Sequence, residues 1–173
     1  LTLGDTMKVG IIGCGAIANI ITTSMVPEDN GIEIAYFFDK DIERAENLAS
    51  LAGGVAVLDF NDMLNNVDLV LECASPDSVK ELAPKILKHG KDMIIMSIGA
   101  FMDMDFYTEV LEIAKKNNAK IHLPSGAVVG LDGIKAVAKF GLKEVSLVTR
   151  KSPKSLGKDI DTEEVLFEGK ASD

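Results

Sequence analysis

Cysteine is scarce: Cys14 and Cys73 stand far apart in 173 residues, in no CxxC pair and no His-paired cluster. A disulfide framework or a structural zinc site needs more ligands at closer spacing, so neither is expected. The same scarcity points to reduced thiols and a cytoplasmic chain. Positive charge is short as well, with a net charge of −9. Phosphate polymers and anionic membranes bind to basic faces, so neither nucleic acid nor membrane is expected as a partner. Long apolar runs are missing too. Residues 9–12 are far too few to cross a bilayer, glycines interrupt them at once, and no secretory cleavage site follows. The chain also lacks internal repeats, low-complexity tracts, a Ser-His-Asp constellation, a metal cluster and paired carboxylates. Chemistry is therefore expected to come from a cofactor, with the protein supplying position and electrostatics.

What is present is a core with a regular rhythm. Apolar residues make up 47% of the sequence, and the length suits one domain plus a fragment of a second. The patterning predicts strands at 8–12, 32–38, 55–58, 67–72, 92–97 and 120–123. Helices are predicted between them at 16–26, 41–51, 59–64, 76–89 and 105–117. Continuous apolar strands alternating with helices imply βαβ units and a parallel sheet buried on both faces. The fold class expected is α/β, a Rossmann-type doubly wound parallel sheet over residues 1–125. The pattern changes after Pro124. A helix at 131–140 and half-exposed strands at 144–149 and 163–167 read as the start of an incomplete α+β domain, residues 126–173.

The glycine motif Gly13-Cys14-Gly15-Ala16-Ile17-Ala18 lies where the first strand meets the first helix. Gly13 suits a tight turn, Gly15 lets a pyrophosphate approach the backbone, and Ala18 permits close helix–strand packing. The helix start at Ala16 and Ile17 would turn free N–H groups toward the phosphates. Such spacing is weak alone, but it sits in the strand–turn–helix context that the motif requires. Asp39 ends the second strand at about the distance expected for the acid that binds the adenine ribose. Its charge favours NAD over NADP, while neighbouring Lys40 and Arg44 soften that preference. A role in capping the next helix is compatible with this one. Ala74 and Ser75 after the fourth strand, with Ser97 and Gly99 after the fifth, leave room for the nicotinamide ribose at the carboxyl edge of the sheet.

Beyond the sixth strand, Ser125 and the backbone at Ala127 are candidates for the carboxamide or substrate. His122 reads as structural, because it is placed near the start of a strand and away from the expected mouth. His89 reads as a helix-end residue whose partly charged ring suits the dipole. The stretch Arg150, Lys151, Lys154 and Lys158 is either a solvated loop or an anion site.

These motifs together resemble the L-aspartate dehydrogenases of the archaeal and thermophilic bacterial type. The resemblance rests on the glycine motif, on Glu72-Cys73-Ala74-Ser75-Pro76 and on Met96-Ser97-Ile98-Gly99-Ala100. More specific are Pro124-Ser125-Gly126-Ala127 running into Gly130-Leu131-Asp132-Gly133-Ile134, and Thr149-Arg150-Lys151-Ser152-Pro153. It covers essentially everything from Met7. It implies oxidation of L-aspartate with NAD, or alternatively NADP, to iminoaspartate or to oxaloacetate and ammonia, with a link to NAD biosynthesis. Ser125 and Arg150 become candidate substrate contacts, and a homodimer covering the apolar strands of the second region is expected. The family's catalytic histidine is expected beyond Asp173, so no residue of this sequence is assigned to catalysis. Two alternatives stand beside this reading: a homoserine-type dehydrogenase of another amino or dicarboxylic acid, and a non-catalytic NAD(H)-sensing module.

Overall fold

A computed structural model describes residues 6–25, 31–126, 128, 130–153 and 162–170. Its strands are β1 (Met7–Ile12), β2 (Ile32–Phe38), β3 (Val55–Ala56), β4 (Leu69–Glu72), β5 (Asp92–Ile95) and β6 (Ile121–His122). Its helices are α1 (Ala16–Met25), α2 (Ile42–Ala52), α3 (Asn61–Leu64), α4 (Pro76–Lys88), α5 (Met104–Lys116) and α6 (Leu131–Ala138). All six strands run parallel in the order β3-β2-β1-β4-β5-β6. The chain winds outward from β1 to β3, then returns to place β4 on the other side of β1. Connections above β1 and β4 therefore leave in opposite directions, which opens a crevice at the carboxyl edge.

Each face of this sheet has its own core. On one, Val70, Met93 and Ile95 meet Val79, Leu82, Ile86 and Leu87 of α4 and Val110 of α5. On the other, Val9, Ile11, Phe37 and Leu71 meet Ala18 of α1 and Ala45, Leu48 and Ala49 of α2. Full burial of each large apolar side chain contributes about 1.5–3 kcal/mol, so the two layers account for the mostly apolar strands. Local signals set the helix ends. The Ser75 hydroxyl accepts a hydrogen bond from the Ser78 N–H at 3.2 Å with Pro76 in the first turn, and Asp103 accepts from the Phe106 N–H at 3.1 Å.

Two features depart from the sequence expectation. Residues 98–102 wind into a short 3-10 helix that the patterning does not announce. Residues 144–149 and 163–167 form no strand; the described residues there are exposed and lie in no ladder. A strand needs a hydrogen-bonded neighbour, and alternating apolar residues supply only one half of that requirement. The chain divides into two units, Leu1–Val129 and Gly130–Asp173, four residues later than the composition shift suggests. Among the described residues, no helix is long and apolar enough to cross a membrane.

One polar atom in the second core is unmatched. Thr22 on α1 is fully buried, and its Oγ1 has no hydrogen-bond partner among the described residues. An unpaired buried hydroxyl costs about 1–3 kcal/mol, while valine keeps the branched shape. Thr22→Val should therefore raise the unfolding free energy by about 1 kcal/mol in urea titration. A loss of stability would contradict this packing.

Candidate functional site

The crevice takes its shape from Gly13 and Gly15, for opposite reasons. Gly13 leaves β1 with φ of +88°, and a β-carbon there would lie 2.6 Å from the Ala74 Cα and N atoms. Backbone meets backbone at that point, so the turn requires glycine whatever binds. Gly15 has no such obligation: its φ is not positive, and a β-carbon would meet nothing within 4 Å. Packing does not explain Gly15. Its bare backbone leaves space above the turn open to a ligand.

Helix α1 begins immediately afterwards. Its first turn holds no acid, whereas those of α2, α3, α4, α5 and α6 hold Glu43, Asp62, Asp77, Asp105 and Asp132. First-turn amides have no helical acceptor, and the positive end of the dipole favours an anion. Asp39, just past β2, braces this turn. Its Oδ2 accepts from the Cys14 N–H at 2.7 Å and its Oδ1 from the Asp41 N–H at 2.9 Å. The carboxylate thus fastens the glycine turn and also the entry to α2. Each oxygen keeps a further lone pair for a ligand hydroxyl.

A cavity of about 530 Å³ gathers Gly13, Gly15, Asp39, Lys40, Ala74 and Ser75. That is within the ~300–1,000 Å³ usual for small-molecule sites. Phe38, Phe60 and Leu82 add apolar wall, and Arg44, Asp77 and Glu81 add charge. The open approach at Gly15, the acid-free helix start and the Asp39 carboxylate together fit a dinucleotide. Phe60, just before the short α3, and Asp77, Glu81 and Leu82 of α4 escape sequence reasoning, since nothing local in those segments says that they reach the crevice. Arg44 is drawn aside by an exposed ion pair, its Nε 3.1 Å from the Asp41 Oδ2.

Other expected positions lie elsewhere. Ala16 and Ile17 are exposed at the start of α1, while Ala18 is fully buried beneath it. Ser97 and Gly99 flank the start of the 3-10 turn and do not line this cavity. Ser125 is exposed and also outside the lining, and Ala127 lies outside the described residues. In the second unit, Arg150 pairs with Glu163 at 3.3 Å, both side chains being largely exposed. Lys151 is exposed, while Lys154 and Lys158 lie outside the described residues. His122 needs correction: β6 is only two residues long, so His122 closes the strand instead of opening it. It pairs with Ile94, one residue short of the edge where Glu72 meets Ile95. It lines a separate cavity with Leu69 and Ile94. The His89 Nδ1 lies 2.9 Å from the Lys85 carbonyl oxygen at the end of α4, as a helix-end residue should.

Both cysteines flank the crevice as neutral thiols. Burial pushes Cys14 up to about 12, helped by the charge of Asp39 and by Cys73. Burial pushes Cys73 up to about 12 as well, helped by Glu72. They act as small apolar residues and not as nucleophiles. Glu72 is a surprise, because a charged residue ending an apolar strand gives no sequence signal of burial, yet it is 1% exposed.

Comparison with known proteins adds a family to this geometry. Residues 13–124 match the family described as homoserine dehydrogenase, NAD binding domain. The chain is 52% identical, over 96% of its length, to an L-aspartate dehydrogenase of Methanothermobacter thermautotrophicus, of which it covers 65%. It is 34% identical to the L-aspartate dehydrogenase of Methanosarcina mazei, covering 96% of this chain and 67% of that one. Among solved structures, the aspartate dehydrogenase of Thermotoga maritima superimposes with a TM-score of 0.65 at 33% identity, over 96% of this chain and 65% of that one. The chain thus spans about 65% of the length of curated relatives it matches.

The two glycines separate fold from binding experimentally. Gly15→Ala should melt like the parent yet lose NADH affinity by about tenfold or more, because a methyl group occupies the phosphate approach. Gly13→Ala should lose about 2 kcal/mol or more of stability, from a strained φ and a backbone clash. Calorimetry and thermal melts read both; a Gly15→Ala chain that binds NADH like the parent would contradict the assignment.

Proposed function

The chain belongs to the L-aspartate dehydrogenase family, and from that membership we propose that it is the cofactor-binding part of an NAD-dependent oxidoreductase acting on L-aspartate. The identity of 52% across 96% of the chain carries this reading. The side-chain-free approach at Gly15 supports it physically. When bound, NAD would accept a hydride from Cα of L-aspartate; with one amine proton lost to solvent this would give iminoaspartate, which water would convert to oxaloacetate and ammonia. Iminoaspartate leaving such a site would be available for NAD biosynthesis.

The chain's own residues hold and orient. Backbone at Gly13, Gly15, Ala16 and Ile17 receives the pyrophosphate, with Ala18 keeping α1 close to the sheet. Asp39 accepts the adenine-ribose hydroxyls, at about 1.5–3 kcal/mol for each bond to the carboxylate. The same charge opposes a 2′-phosphate. Lys40 lines the cavity, but Arg44 is engaged with Asp41, so NAD is favoured and NADP is the weaker cofactor. Ala74, Ser75, Ser97 and Gly99 are assigned to the nicotinamide side, Ala127 is kept there by its place in the sequence alone, and Ser125 and Arg150 are kept as substrate candidates. No residue of this chain is assigned to proton transfer. Two neutral, reduced thiols suit the cytoplasm.

A homodimer completes the proposal, since Leu147, Val148 and Phe167 of the second unit are 70%, 80% and 64% exposed. Light scattering should return the mass of two chains; a monomer at high concentration would remove the dimer. The activity is tested by a substrate panel on the enzyme that carries this chain. L-Aspartate with NAD should be turned over far faster than L-malate or L-homoserine, and faster than L-aspartate with NADP. Equal rates across the amino and hydroxy acids would defeat the substrate assignment.

A further inference from the structure

Glu72 is the last residue of β4, level with Ile12 on one side and Ile95 on the other. It is buried to 1% exposure, and among the described residues no cation pairs with it. Its neighbours at the same level are apolar. A carboxylate is a costly occupant for such a place unless its oxygens are fully engaged. They are. Oε1 accepts from the Ala74 N–H at 2.7 Å and the Ser97 hydroxyl at 2.8 Å, while Oε2 accepts from the Ser97 N–H at 3.0 Å.

All three donors belong to the turns that follow β4 and β5, so one side chain fastens both turns to the carboxyl edge. An apolar residue would fill the space but leave three donors unpaired. Two consequences reach the crevice. Ala74 is the residue against which Gly13 rests, and it lines the cavity. Ser97 spends its only hydroxyl proton on Glu72, so its oxygen can offer further partners nothing but lone pairs. Ser97 is thereby set as an acceptor, suited to a ribose hydroxyl or an amide N–H.

We propose that Glu72 is a positioning residue for the nicotinamide half of the cofactor, acting through Ala74 and Ser97. The inference rests on the NAD-binding reading above. It also predicts an asymmetry. The adenosine half is braced independently, by Asp39 on the Cys14 amide and by the Gly13 N–H donating to the Phe38 carbonyl at 2.8 Å. Glutamine at 72 would point an amide N–H at one of the present donors, which disturbs the nicotinamide-side turns and leaves the adenosine side alone.

The test measures NADH and 5′-AMP affinities side by side for the parent chain, Glu72→Gln and the milder Ser97→Ala. Glu72→Gln should weaken NADH about tenfold while AMP stays within about twofold, as expected for one or two lost charge-assisted bonds. Ser97→Ala keeps the buried carboxylate and should also weaken NADH and spare AMP; it carries the test if the glutamine variant does not fold. Parallel losses of NADH and AMP would mean that Glu72 serves the fold alone, and unchanged NADH in both variants would equally overturn the proposal. A parent chain that binds no NADH would instead defeat the cofactor reading, and this inference with it.

Discussion

The crevice depends on a contact between two stretches of backbone. Where β1 ends, the Gly13 Cα lies so close to the Ala74 peptide that no β-carbon fits between them. That approach brings the turn after β1 against the turn after β4, at the point where the sheet order reverses. Two side chains then hold the turns it joins. Asp39 ties the Cys14 amide down from the β2 side, and Glu72 ties the Ala74 amide down from the β4 side. Two carboxylates thus fix the walls of a cleft whose floor is peptide. The start of α1 stands over it without an acid of its own.

This division of labour also explains the charge pattern. A chain with a net charge of −9 is a poor general host for anions, so the proposed phosphate site leans on backbone dipoles, with Lys40 and Arg44 the cationic side chains that line the cavity. The carboxylates near the turn are spent on amides. The acid-free helix end is left as the locally positive place.

Much of this was legible in the sequence because it depends on local rules. Period and punctuation place the elements of the parallel sheet to within a few residues, since the central strands β1 and β4 are largely buried and helices such as α2, α4 and α5 are bounded by a glycine or a side-chain cap. Gly13 and Asp39 are legible as a turn glycine and the acid beside it because each directly follows a strand. Other features depend on what packs against them. The 144–149 and 163–167 segments carry a strand-like alternation but have no ladder partner in the described structure. His122 was placed at the wrong end of its strand because β6 is cut to two residues, and strand length is decided by its neighbour. Glu72 was invisible because three donors from two separate turns converge on it only in space. Phe60 reaches the cavity for the same reason, whereas Arg44 was already placed beside Asp39 by its position in the sequence.

The central claim is that the peptide groups around Gly13 and Gly15 are a dinucleotide site. Titrating NAD into the nitrogen-labelled chain and following the amide correlations by NMR tests it most directly. The account predicts that the largest shifts fall on Gly13, Gly15, Ala16 and Asp41, with Leu69, His122 and Leu123 unmoved. Shifts confined to the latter group, or none at saturating cofactor, would contradict it.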